Sequence, residues 1–155
     1  MRRISSFLAV AAFLAMPAVA SAQVATDIAV TKQQVQTQRQ QIVAQNLPLT
    51  DAQATAFWPL YQEYRLAVGK LADQRIALIT TPTAGDTATA KEIEDRMTKW
   101  VSIGGQYAKL QGDWIKKFEP AIGARGTLRF YQIETRLDLI VQAAIASEIP
   151  LVPVK

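Results

Sequence analysis

The stretch Leu49–Tyr64, LTDAQATAFWPLYQEY, opens with the signals of a helix start and carries a proline in its third turn. Thr50 is placed as an N-cap: its hydroxyl can accept from the amide of Gln53, and the Gln53 side chain can reach back to the amide of Thr50, the reciprocal pattern of a capping box. Beyond the cap, Phe57, Leu60, Tyr61, Tyr64, Val68, Leu71 and Leu78 recur at three- and four-residue steps. That spacing predicts one long amphipathic helix reaching Thr80. Pro59 lies too deep to be a first-turn proline. It removes the amide that would bond the carbonyl of Thr55, and a kink is expected there.

Upstream of Leu47-Pro48-Leu49, Ile28, Val35, Ile42, Val43 and Leu47 recur thinly in a segment where seven of the 13 residues from Gln33 to Gln45 are glutamine. This reads as a helix with one narrow apolar stripe, or as a low-complexity arm. Downstream, Thr81-Pro82-Thr83-Ala84-Gly85-Asp86 breaks the pattern, with Asp86 or Thr87 as the next cap. Ile93, Met97, Trp100, Val101, Tyr107, Leu110, Trp114 and Phe118 carry a third stripe. Gly104-Gly105 within it permits a bend or a close backbone approach, and Glu119-Pro120 is expected to end it. A fourth helix follows Gly126, marked by Phe130, Ile133, Leu137, Ile140, Val141, Ala144 and Ile145. Pro150 and Pro153 make the tail IPLVPVK extended. No period-2 pattern appears after the first segment. The expected fold is all-α, about four amphipathic helices in a curved or bundled helical-hairpin arrangement.

The first 22 of the 155 residues do not read as part of that fold. Arg2 and Arg3 precede the apolar run FLAVAAFLAMPAVA, and Ala20-Ser21-Ala22 suits cleavage, the pattern of a secretory signal peptide. Residues 1–22 are therefore assigned as signal and 23–155 as a single helical domain, with the mature chain beginning at Gln23 in the periplasm and no stable membrane insertion afterwards. Losing two arginines lowers the basic count from 17 to 15 against 13 acidic residues, a net charge of +2, which gives no electrostatic case for nucleic acid. The chain has no cysteine and no histidine. Ser-His-Asp triads, cysteine nucleophiles and ordinary zinc or copper sites are thereby excluded, and no cofactor, catalytic residue or metal ligand is assigned. Glu134 and Asp138 share a helix face, but Arg125, Arg129 and Arg136 nearby favour ion pairing over a carboxylate site.

The segment LTDAQ, with Leu49, Thr50 and Gln53, resembles the LTxxQ motif of the Spy/CpxP family of small helical periplasmic proteins. A second copy is looked for 73 residues on, where Ile122, Gly123, Gly126 and Phe130 match Leu49, Thr50, Gln53 and Phe57: the apolar anchors remain and the capping side chains do not. The resemblance implies an ATP-independent chaperone or envelope-stress protein, not an enzyme, that binds unfolded or partly folded envelope proteins on a curved helical surface. A homodimer is compatible with it. The alternative is an adaptor that docks on one envelope partner such as a sensor domain. Most of the aromatics read as core; the expected client surface is what the run Phe57, Trp58, Pro59, Tyr61 and Tyr64 leaves partly exposed on the bent helix, with Trp58 beside the main stripe.

Overall fold

A computed structural model describes residue 30 and residues 38–80 and 88–148. The expected signal peptide, most of the glutamine-rich segment, the Thr81–Thr87 connection with its expected caps Asp86 and Thr87, and the proline-containing tail lie outside the described residues. Within them the chain is helical apart from short connections, and all-α holds. The elements are α1, residues 38–46, α2, Asp51–Thr80, and α3, Ala90–Glu148.

The start of α2 follows from its sequence. The amide of Thr50 donates to Gln53 Oε1 at 3.1 Å and the amide of Gln53 donates to Thr50 Oγ1 at 3.3 Å, so each residue satisfies a donor that the first turn leaves orphaned. Thr50→Ala is expected to cost about 1 kcal/mol in a denaturant melt, and Gln53→Ala less. An unchanged midpoint in Thr50→Ala would remove the cap from the account. The same device begins α3. The amide of Thr89 donates to Glu92 Oε2 at 2.7 Å, and that of Glu92 to Thr89 Oγ1 at 3.3 Å. The Thr89 amide and the Thr89 hydroxyl, which donates to the same Glu92 Oε2 at 2.8 Å, together hold the Glu92 carboxyl below its usual range.

Two prolines sit inside helices, and neither stops one. α2 runs unbroken through Pro59, and α3 continues past Pro120, where the sequence places an end. Both prolines are exposed, so each lies on a solvent-facing side, where a carbonyl that loses its helical donor can be hydrated. The backbone leaves helical geometry three residues later, at Gly123 (φ 75°, ψ 165°), a conformation that favours glycine. The expected third and fourth helices are therefore one element with two limbs that meet at Gly123. At Gly104 and Gly105 the helix is continuous, and an added Cβ would meet nothing within 4 Å. No close approach occurs there.

Contacts fix the packing directions. Phe57 meets Phe118, Tyr64 meets Trp114 and Arg75 meets Trp100, so α2 and the first limb of α3 are antiparallel. Tyr131 Oη donates to the carbonyl of Gln111 at 2.9 Å, which brings the second limb back along the first. Arg129 Nε donates to the carbonyl of Asn46, and Arg39 reaches Glu134, so α1 is antiparallel to that second limb. Four helical segments thus lie side by side, each antiparallel to the one before.

Inward residues recur at alternating four- and three-residue steps, the spacing of coiled-coil seams. In α2 these are Phe57, Tyr61, Tyr64, Val68 and Leu71, all buried. The end of the bundle near Gly123 is closed by an aromatic cluster. Phe118 and Phe130 have ring centroids 4.7 Å apart, with Phe57 at 5.4 and 5.2 Å from them. Val43 of α1, Leu47 just after it, and Ile122 complete this core.

Candidate functional site

The aromatic run of α2 does not form an open surface. Phe57, Tyr61 and Tyr64 are buried in the core, and Trp58 is half-buried, set edge-on to Phe57 and Tyr61 at 5.1 and 5.5 Å. Of the five residues expected to meet a client, only Pro59 is exposed. The reason lies in the stripe: three of the aromatics occupy its inward register, and Trp58 lies over their edge. Leu49, of the LTDAQ segment, is half-buried against the same core, while Thr50 and Gln53 serve the cap.

Mid-bundle, the inward register turns ionic. Arg39 sits four residues before Val43 and Glu134 four after Phe130, both on stripes that face the interior, and their side chains are 3% and 1% exposed. Arg39 Nη1 lies 2.7 Å from Glu134 Oε2, and its Nη2 lies 2.7 Å from Asp138 Oδ1. Arg65 Nη1 reaches the same Glu134 oxygen at 2.9 Å. Tyr107 of the first α3 limb donates to Asp138 Oδ2. All four helical segments therefore contribute to one buried network. The carboxylates do pair, as the sequence suggests, but with arginines of facing helices: Arg125 and Arg136 are exposed, and Arg129 is spent on Asn46.

Its electrostatics are those of a dry site. Burial pushes the Glu134 carboxyl above its usual range, against the opposing pull of Arg39 and Arg65. Glu134 Oε1, Arg39 Nε and Tyr64 Oη are buried without a hydrogen-bond partner. Burial opposes the charge on Arg39 too, yet Glu134 and Asp138 outweigh it and its pKa is raised. Tyr61 is pushed up to about 12 by burial and by Glu134, and burial with the neighbouring Asp138 raises Tyr107. A phenol so shifted stays protonated at neutral pH and acts as a donor.

Past this network the bundle opens. The inward stripe of the first α3 limb steps through Phe118, Trp114, Gln111, Tyr107, Gly104, Trp100, Met97 and Ile93. Trp114 and Phe118 at its inner end are 7% and 0% exposed, whereas Trp100, Met97 and Ile93 are 44%, 59% and 42% exposed. A groove of about 450 Å³ lies between α2 and the two limbs of α3. Its walls include Leu71, Ile76, Ile79, Trp100, Val141 and Ile145, and its floor is the ionic network at Arg39, Arg65, Tyr107 and Asp138. This groove is the candidate site. From sequence, the expected client surface lies on α2 alone. The signal was present in the α3 stripe, whose outer half carries apolar residues, and in α2, where Arg75 interrupts the inward register between Leu71 and Leu78.

Among the described residues no group of three or more acidic, histidine or cysteine side chains could hold a metal, and no helix is long and apolar enough to cross a membrane. A comparison with family models, curated proteins and solved structures finds no match for the chain.

Proposed function

We propose that this protein is an ATP-independent chaperone or stress protein of the bacterial envelope, similar to the Spy/CpxP family, that holds apolar segments of unfolded or partly folded proteins. One observation carries the reading: a single helical stripe passes from full burial at Phe118 to wide exposure at Trp100, Met97 and Ile93. A stripe of that register is made to be covered, and left open it offers an apolar strip with a flexible thioether at its centre, a surface that re-packs against many sequences. The client surface is accordingly the open end of the bundle and not the aromatic run of α2. The family resemblance draws support from the Thr50–Gln53 cap and from the position of Gly123, 73 residues after Thr50. Each stands at the start of a helical segment, and the matched anchors Phe57 and Phe130 touch in the core. No reaction is assigned. Export through residues 1–22 and residence in the periplasm belong to the same proposal.

The test is a light-scattering assay of aggregation on two unrelated clients. Wild type at stoichiometric amounts is expected to suppress both. Ile93→Ser with Met97→Ser is expected to lose most of that suppression with little change in melting temperature, because neither side chain is buried. A wild type that suppresses nothing would sink the chaperone reading and favour an adaptor with one envelope partner. Undiminished suppression by the double variant would move the client surface elsewhere.

A further inference from the structure

We propose that the groove between α2 and the two α3 limbs is a binding site for a free long-chain carboxylate, with its head at Arg75 and its chain running inward toward Tyr107. This goes beyond the capture of proteins and does not depend on it.

The shape selects a chain. From Arg65 at the floor to Ile79 at the rim, α2 advances about 21 Å at 1.5 Å per residue. The groove, about 450 Å³, extends along that length between α2 and the two limbs of α3. An α-helix with its side chains is about 10 to 12 Å across, wider than the space left where Arg75 meets Trp100 at 4.9 Å. An extended peptide is narrow enough, but the amides and carbonyls that face aliphatic walls there would be left without partners. A hydrocarbon chain has no such groups, and it gains on every methylene that leaves water.

Charge selects the head. Among the described residues, the lining contains three guanidinium groups, Arg39, Arg65 and Arg75, and one carboxylate, Asp138. Arg39 is consumed by Glu134 and Asp138, and Arg65 is engaged with Glu134. Arg75 differs. It is exposed at the rim, with its guanidinium carbon 4.9 Å from the centre of the Trp100 ring, and that ring face is its only partner among the described residues. Stacking on the indole leaves the edge of the fork free for two parallel bonds to a carboxylate. Arg75 stands ten residues beyond Arg65, about 15 Å along the helix, which is the extended length of a chain of about a dozen carbons. Dodecanoate is therefore the probe. Its tail would end against the Tyr107 and Arg65 floor, which stops longer penetration.

The groove can also be filled without disturbing the fold. Gly104 lines it, and a Cβ added there meets nothing within 4 Å.

The experiment is isothermal titration calorimetry of the full chain below the micellar concentration. Dodecanoate is expected to bind at one site, at least tenfold more tightly than dodecyltrimethylammonium. Arg75→Gln should remove that preference, Arg75→Lys should keep part of it, and Gly104→Leu should weaken dodecanoate by tenfold or more while the helical melt is unchanged. Equal affinity for the two head groups would overturn the assignment of Arg75. Indifference to Gly104→Leu would overturn the groove as the site. Binding to phosphatidylglycerol vesicles with no binding of free dodecanoate would make this end a membrane-facing surface and sink the proposal. None of these outcomes depends on the aggregation assay, so the two readings fail separately.

Discussion

Glu134→Ala is expected to lower the unfolding free energy by about 3–5 kcal/mol, a large part of the 5–15 kcal/mol that holds a typical domain together. The variant removes the carboxylate that two guanidiniums share and leaves Arg39, 3% exposed, with Asp138 alone. An uncompensated buried charge is the costly product, more than the lost bonds themselves. The pair itself is not a strong stabiliser. Burial raises the Glu134 pKa in spite of both arginines, whereas for Arg39 the carboxylates outweigh burial, so the network is a small difference between opposing effects. Two consequences separate these statements. Arg39→Met combined with Glu134→Leu should recover most of the loss, because apolar side chains of similar volume bring no charge to desolvate. The pH dependence carries the other. A carboxyl with a raised folded pKa binds its proton more tightly folded than unfolded, so its contribution to stability is largest below the ordinary value of 4.5 and falls as pH rises through the interval up to the folded value. Glu134→Gln should flatten that interval in urea melts taken across the acid range. A double variant no more stable than Glu134→Ala would show that the network, and not its dry charge, holds the four segments together.

Why was this network not legible, when the helices around it were? Helix starts and stripes are local, and Thr50 with Gln53, or the steps from Phe57 to Leu71, declare themselves within a few residues. Pairing is not local: Arg39 and Glu134 are 95 residues apart in the chain. Looking for partners at neighbouring positions led to Arg125, Arg129 and Arg136, which share the helix of Glu134 but not its inward face. The register did contain the signal. A charged residue four positions from a core phenylalanine or valine stands on a buried stripe, and it needs an opposite charge from a facing helix. Arg39 and Glu134 both meet that description. Pro120 misled for a related reason: the effect of a mid-helix proline depends on which face it occupies, and at Pro120 that face is wet. The aromatic run of α2 is buried because three of its rings stand in the inward register. Here it fills the closed end, while the open end is formed by the thinner half of the α3 stripe.

Phe118→Ala is expected to cost about 3–5 kcal/mol, with Phe130→Ala close behind. Phe118 is fully buried and its ring meets those of Phe57, Tyr64, Trp114, Phe130 and Tyr131 within 6.5 Å. Truncation removes the transfer energy of a benzyl group and leaves a cavity walled by rigid rings that cannot collapse into it. The position makes the loss general. Phe118 stands five residues before the Gly123 break, and Phe130 seven after, so their contact at 4.7 Å holds the two limbs of α3 together at the point where the backbone itself supplies no helical continuity. A melt of Phe118→Ala should therefore shift by roughly 10 °C or more and remain a single transition, since both limbs depend on the same cluster. Phe118→Leu should lose much less, because an aliphatic side chain keeps most of the volume. The open end provides the contrast. Trp100→Ala removes a larger ring, but one that is 44% exposed, and is expected to move the melt far less than Phe118→Ala. Equal losses for Trp100→Ala and Phe118→Ala would mean that the open end is packed as tightly as the closed one in solution, and both the client strip and the carboxylate groove would then have no space to occupy.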